Sequence, residues 1–477
     1  MSIESMKKGL NINNKKIIGE AIATIVGLII AFIDPPEGLT VQSMKALGIL
    51  VWTIINWVIE LIPNYVAALL MCLLWATFKV VPFTVAFGAF SGTVWWLLIG
   101  AMGIGIAASK SGLLKRASLM GMRLFPPTFK GQVLAFLGTG TIVAPLIPSI
   151  TVKCTITAPI AIDIGKRLGF EKRSKGMNGL FAAMFVGFST TSVIFVSGSI
   201  LGYLLLGLLP DYVQEQFNWI YWFICMIPWG IIILAASYLF IIYLYKPNKE
   251  VRIPSEYINS QIKALGPMSR DEKITLAVVA GCLIFWIGES FIGVPAAIVA
   301  MIGMLVLISL NVFSKAEFHN NMAWSILFFT GSILNLGPVL QTVGINAWLG
   351  QLISPLITRF VGNTYLLVTA IALLVYIVRT IITSMSGTIT LFTIILLPIA
   401  FESGINPWVV GIATYASVMV WHLQYQNSNF LAAFAAVGGE ENISFKEIAK
   451  LSFVYMVISI IGLLISIPYW RFLGLIP

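Results

Sequence analysis

The sequence predicts an all-α, polytopic membrane protein of about eleven transmembrane helices plus two re-entrant hairpins, set out as two inverted-topology repeats. Three observations carry that prediction. Hydrophobic residues make up 58% of the 477, charged residues only 10%, and mean hydropathy is +0.95. Soluble domains carry about a quarter of their residues charged, so this composition belongs in a bilayer. The cations fall on one side of the apolar runs. Finally, one thirteen-residue pattern occurs twice, as SITVKCTITAPIA at 149–161 and TITLFTIILLPIA at 388–400, an offset of 239 residues. Six of the thirteen positions are identical: Ile150/Ile389, Thr151/Thr390, Ile156/Ile395, Pro159/Pro398, Ile160/Ile399 and Ala161/Ala400.

A spanning helix needs roughly 20 apolar residues. Spans are expected near 17–33, 43–60, 64–80, 93–109, 176–208, 217–245, 273–290, 293–311, 323–341, 405–437 and 451–472. The first run follows Lys7, Lys8, Lys15 and Lys16 and is too long for a cleaved signal peptide. The runs at 176–208 and 405–437 are too long for one straight crossing and are interrupted by polar residues. Two further apolar regions, about 131–166 and 363–402, break near their midpoints at the repeated pattern. Each arm falls short of a full span, which favours a hairpin that returns to its own side.

Charge tests the layout. With the N-terminus inside and both hairpins returning, 23 of the 29 cations lie inside. Lys45, Lys79, Arg359 and Arg471 lie outside, and Lys153 and Arg379 sit within the hairpins. Positive charge holds loops at the cytoplasmic face, so a multi-pass cell-membrane protein is expected, N-terminus cytoplasmic and C-terminus outside. The chain then divides into an N-terminal segment with a lone first helix (1–42), a first repeat (43–245), a polar cytoplasmic linker (246–271) and a second repeat (272–477). Each repeat has five spans and one hairpin. Five is odd, so the repeats enter from opposite faces and both hairpin tips meet near the bilayer centre. Lys110–Arg123 reads as an interfacial amphipathic helix bracing the first hairpin.

Paired interruptions in two halves point to a carrier's substrate site. A helix starting at each tip aims free N–H groups and a positive dipole end at the cavity between them, which favours an anion. Ser149 and Thr151 at the first tip, and Thr388 and Thr390 at the second, add hydroxyl donors. Simple helix capping is the plainer account of these hydroxyls, but it leaves the duplication unexplained. Lys153 lies two residues beyond Thr151, where a cation near the bilayer centre needs a partner. Contact with an anionic ligand is favoured over an ion pair with Asp163 or Glu60.

His422, Gln426 and Asn427 lie in a polar break of the tenth span, matched by Thr190 and Thr191 in the fifth. These groups are expected to complete the pocket, although His422 fits a helix–helix hydrogen bond equally well. Arg379, well before the second tip, reads as a structural ion pair or a cation snorkelling to the outer interface.

Other classes are excluded by what the sequence lacks. Two histidines give no zinc pair or His-centred triad, and no phosphate-binding loop precedes a lysine. No metal or cofactor is expected, and no enzyme activity. The four cysteines sit in apolar runs and read as core residues. The net charge of +10 is accounted for by topology, with no nucleic-acid-binding stripe.

The chain resembles the divalent anion/sodium symporter family, which includes INDY-type carboxylate transporters and citrate:succinate antiporters. The resemblance rests on Pro148-Ser149-Ile150-Thr151 and Thr388-Ile389-Thr390 at the two tips, where the family carries a Ser-Asn-Thr type of motif. Glu60-Leu61-Ile62-Pro63 and Ala108-Ser109-Lys110-Ser111-Gly112-Leu113 support it, and it spans nearly the whole chain. It implies a homodimer that moves a di- or tricarboxylate such as malate, succinate, 2-oxoglutarate or citrate by an elevator-type motion. Where the motif's Asn helps sodium-coupled members enclose a cation, this chain has Ile150 and Ile389, which cannot ligate a hard cation. With Lys153 nearby, sodium-independent exchange is the expectation. A sodium-coupled symporter of the same fold and an anion channel are the alternatives.

Overall fold

The computed structural model describes residues 3–59, 62–248, 255–349 and 363–477. Glu60, Arg359 and the start of the linker (249–254) lie outside the described residues, as do the side chains of the N-terminal lysines. Every regular element among the described residues is helical.

Among the described residues, eight helical segments are long and apolar enough to cross a membrane, including Val41–Ile59, Thr93–Lys110, Trp219–Leu244 and Phe445–Phe472. Other expected crossings are shorter. The run at 64–80 forms the 14-residue helix Asn64–Thr77, about 21 Å long against a hydrocarbon core of about 30 Å. Pro63 starts it, and Lys79, in the left-handed region at φ 54°, follows its end. The run at 323–341 is among the eight, as Trp324–Thr342, but divides into Trp324–Ile333 and Leu336–Thr342 around Asn335, whose amide bonds the preceding turn and Ala89 N–H.

Both expected hairpins are present as helix–turn–helix units. The first has arms Phe129–Val143 and Ile150–Arg167; the second has arms Thr364–Val378 and Met385–Glu402. Arms of 15 and 18 residues are about 22 and 27 Å long, and two of the eight segments apolar enough to cross, Phe129–Leu146 and Met385–Glu402, come from these units. The two long polar-interrupted runs are broken helices. Lys175–Phe188 stops at Ser189, passes through two short 3-10 turns and resumes as Ile200–Leu208. Pro407–Val418 stops similarly and resumes as Ser428–Ala436.

Backbones meet where side chains vanish. A Cβ at Gly140 would sit 2.2 Å from the Gly187 carbonyl carbon, and one at Gly187 would sit 2.3 Å from the Phe136 carbonyl oxygen. The first hairpin and the first broken helix therefore cross in main-chain contact, the membrane mode of packing through small residues.

The helix expected at 110–123 is Leu113–Arg123, which follows Gly112 at φ +86° and buries Leu114, Leu119 and Met122. Its Arg116 forms a two-pronged ion pair with Glu272, Nε to Oε1 2.7 Å and Nη2 to Oε2 3.0 Å, and donates to the Gly266 carbonyl at 3.1 Å. Glu272 also accepts from Ser269 N–H, completing a capping box for helix Arg270–Ile287. The guanidinium beside it, despite the opposing effect of burial, holds the Glu272 carboxyl below its usual range. At the same end of the molecule, Lys172 pairs with Glu441 and Arg173 with Glu440, joining the loop before one broken helix to the loop after the other.

Candidate functional site

The two hairpin turns and the two helix breaks surround one cavity of about 590 Å³. Four helices begin at its wall: Ile150–Arg167, Met385–Glu402, Ile200–Leu208 and Ser428–Ala436. Each N-terminus is capped by a short polar side chain. Ser149 accepts from Val152 N–H at 3.4 Å, Ser384 from Gly387 N–H at 3.1 Å, and Ser199 from Leu201 N–H at 3.1 Å. Asn427 accepts from the N–H groups of Asn429 and Phe430, both at 3.1 Å. Each helix end contributes about half a positive charge on its free N–H groups, and here four converge. Among the described lining residues there is no Lys, Arg, His, Asp or Glu. The polar wall consists of hydroxyls and amides: Asn64, Tyr65, Ser149, Thr151, Ser199, Asn321, Ser325, Thr330, Thr383, Ser384, Ser386, Ser428 and Asn429.

Of the residues singled out by sequence, Ser149, Ile150 and Thr151 line this cavity. Thr151 donates to Asn429 Oδ1 at 2.6 Å, so the first tip touches the second broken helix directly.

Thr388, Ile389 and Thr390 do not reach the second tip. They lie one turn inside its second arm and are fully buried. Thr388 donates to the Ser384 carbonyl and Thr390 to the Ser386 carbonyl, both at 2.9 Å, which satisfies their hydroxyls within the helix. The tip residues are Thr383, Ser384, Met385 and Ser386, and all four line the cavity. Ser149 and Ser384 are the two N-caps, an offset of 235 residues, one helical turn less than the offset that aligns the sequences. The structural counterpart of Ile150 is therefore Met385, another side chain unable to ligate a hard cation.

Lys153 turns away from the cavity. It is fully buried, and its ammonium donates to Gly198 O at 2.8 Å, Ser192 Oγ at 2.8 Å and Ala144 O at 3.3 Å. Three donors meet three acceptors, the full complement of an ammonium. It thus binds the unwound stretch of the first broken helix, and Asp163 is engaged elsewhere, accepting from the Tyr257 hydroxyl.

Arg379 is its counterpart at the second tip. It neither snorkels nor forms an ion pair. The side chain is fully buried and donates through Nη1 to Ile382 O at 2.6 Å and to Thr383 O, and through Nη2 to Gln426 O. Gln426 answers with Nε2 to Arg379 O at 3.0 Å. Each hairpin thus drives one buried cation into the unwound segment of one broken helix.

The remaining candidates support this arrangement from behind the wall. Gln426 and Asn427 are fully buried, the first bound to Arg379 and the second capping Ser428–Ala436. Thr191 bonds the Gly187 carbonyl, and Thr190, fully buried, does not line the cavity. His422 packs on Phe453 with ring centroids 5.2 Å apart, outside the cavity wall. Sequence reasoning missed Ser199, Ser384 and Asn429. For two of them the signal was available: Thr383-Ser384-Met385-Ser386-Gly387 repeats the tip's hydroxyl spacing, and Ser199 is a capping residue immediately before an apolar run.

The profile of the family described as the sodium:sulfate symporter transmembrane region matches residues 14–476. The L-tartrate/succinate antiporter of Shigella dysenteriae is 26% identical over 358 residues, covering 68% of this chain and 72% of its own. Dicarboxylate transporter 2 of spinach chloroplasts (Spinacia oleracea) is 22% identical over 471 residues, covering 96% and 83%. The crystal structure of the Alcanivorax borkumensis YdaH transporter superposes with a TM-score of 0.58 over 83% of this chain and 89% of its own, at 15% identity, a likeness of fold. A family match over almost the entire length, on a helical membrane fold, makes this chain a member of the divalent anion/sodium symporter family, a transporter and not an enzyme.

Proposed function

We propose that this protein exchanges di- or tricarboxylates across the membrane without sodium. The observation that carries the substrate class is the convergence of four capped helix N-termini on one cavity whose described wall holds no carboxylate. Such a site attracts anions and presents hydroxyl and amide donors for their oxygens. Tips from two different hairpins offer two separated carboxylate positions. The antiporter and dicarboxylate transporter among the relatives support the same class.

Independence from sodium is supported by Lys153 and Arg379. Each unwound segment already gives one carbonyl oxygen, Gly198 O or Gln426 O, to a protein cation, the type of ligand a sodium ion would require. The two motif positions next to the N-caps are Ile150 and Met385, with no oxygen to offer. Fixed positive charge without an anion opposes passage through the bilayer, so return of the empty carrier is slow and exchange follows. We place the basic face of the molecule in the cytoplasm, and read the functional unit as a homodimer whose two hairpins and broken helices move together in an elevator-type motion.

Uptake of radiolabelled succinate into proteoliposomes, preloaded with dicarboxylate or empty, each with and without sodium, tests the proposal. Uptake that needs internal dicarboxylate and ignores sodium is expected. Sodium-dependent uptake into empty vesicles makes the protein a symporter, and non-saturating flux without trans-stimulation makes it an anion channel.

A further inference from the structure

Tyr415, a residue that does not line the cavity, is hydrogen-bonded to the hydroxyl of Ser199, a residue that does. Its hydroxyl lies 2.5 Å from Ser199 Oγ, and both residues are buried, Tyr415 completely and Ser199 to 2% exposure. Tyr415 belongs to the first half of the second broken helix, Pro407–Val418. Ser199 caps the second half of the first broken helix and lines the cavity. The contact therefore links the two broken helices.

The protons can be assigned by elimination. Ser199 is the hydrogen-bond partner of the Tyr415 hydroxyl. Were Ser199 the donor, the Tyr415 O–H would remain buried and unpaired, an arrangement native interiors avoid. Tyr415 therefore donates to Ser199. The Ser199 oxygen also accepts from Leu201 N–H at 3.1 Å. A serine hydroxyl has two lone pairs and one proton. With both lone pairs taken, its only remaining capacity is to donate.

We infer that Tyr415 is a positioning residue that makes Ser199 an obligate hydrogen-bond donor to the transported anion. The inference rests on the carboxylate reading of the cavity. A hydroxyl free to rotate offers an anion either a proton or a lone pair; one with its lone pairs occupied offers only the proton. The pair thereby favours ionised oxygens over hydroxyl or amide hydrogens at that point of the site. Phenylalanine at 415 would fill the same aromatic volume and remove only the proton that sets the direction.

The test compares full-length wild type, Tyr415→Phe, Ser199→Ala and the double variant in proteoliposomes, by succinate exchange kinetics, with melting temperature and its shift by succinate, citrate and sulfate measured in detergent. Both single variants are expected to raise KM about three- to tenfold with maximal rate within about twofold, and to shrink the anion-induced shift in melting temperature. The double variant is expected to match Ser199→Ala, because the tyrosine acts only through the serine. An unchanged KM in Tyr415→Phe, or multiplicative effects in the double variant, overturns the inference while leaving carboxylate transport intact. Should Tyr415→Phe lose its melting transition, Ser199→Cys decides: the weaker thiol donor is expected to raise KM similarly, and a normal KM overturns the inference. If the wild type neither exchanges succinate nor is stabilised by any of the three anions, the carboxylate reading falls first and the inference with it.

Discussion

The ammonium of Lys153 donates to the Gly198 carbonyl at 2.8 Å, joining the first hairpin to the unwound segment of the broken helix beside it. Together with Ala144 O and Ser192 Oγ, this gives a fully buried cation three neutral partners. Lys153→Ala leaves those acceptors facing a cavity. It is expected to lower exchange more than about tenfold while the protein still purifies as a folded species. Flux measured with and without sodium chloride reads out the charge: partial rescue by sodium in the variant, with none in the wild type, is the expected result. Near-normal flux would remove Lys153 from the transport mechanism.

Arg379 is expected to matter more for stability. Its planar fork reaches Ile382 O, Thr383 O and Gln426 O together, a geometry lysine cannot reproduce. Arg379→Lys should destabilise the protein by about 1–3 kcal/mol, through carbonyls left without donors. Thermal unfolding in detergent, compared with wild type, checks this; equal melting temperatures would sink it.

Asn429 separates an anion site from a merely polar one. Its Oδ1 accepts from Thr151, and the residue lines the cavity among the helix N-termini. Asn429→Ala is expected to weaken succinate binding a few-fold. Asn429→Asp, nearly the same shape, should abolish it by placing a carboxylate where the anion sits. Ligand-induced thermal shifts measure both, and an Asp variant that binds succinate normally would refute the anion reading.

At the end of the molecule bearing the linker, the Arg116–Glu272 pair predicts a pH dependence. Hydrogen bonding from Arg116 depresses the Glu272 carboxyl, with burial opposing. A depressed carboxyl stabilises the fold above its unfolded pKa of about 4.5 and loses that contribution as pH falls through the folded value. Glu272→Gln should therefore lower the melting temperature at neutral pH and flatten the loss of stability on acidification. Parallel curves for the two proteins would show that the pair contributes nothing.

The helical architecture was legible because the bilayer imposes it: apolar run lengths and breaks marked by Ser189–Ser192 and Leu423–Asn427 follow from backbone groups needing partners. The first tip was legible too, since Ser149 is the first hydroxyl ahead of its helix. The second was placed one turn late. Thr388-Ile389-Thr390 mimics the hydroxyl spacing of Ser149-Ile150-Thr151, yet hydroxyls inside a helix bond the preceding turn, whereas Ser384 stands where no earlier carbonyl is helical. Which way Lys153 and Arg379 point was not legible. That depends on carbonyls freed by unwinding 45 and 47 residues away, and the sequence spacing gives no measure of it.

The partners of the two buried cations also fix an order of assembly. Everything Lys153 binds is made by residue 198, so the first cation can be housed before the second hairpin is synthesised. Arg379 waits for Gln426, and Thr151 waits for Asn429. Until those late residues arrive, a guanidinium inside the membrane lacks one of its acceptors, and the first tip faces an unfinished wall. A chain that stops short of these residues leaves a buried guanidinium with a donor unpaired, and the wall between the two tips closes only once residue 429 is in place.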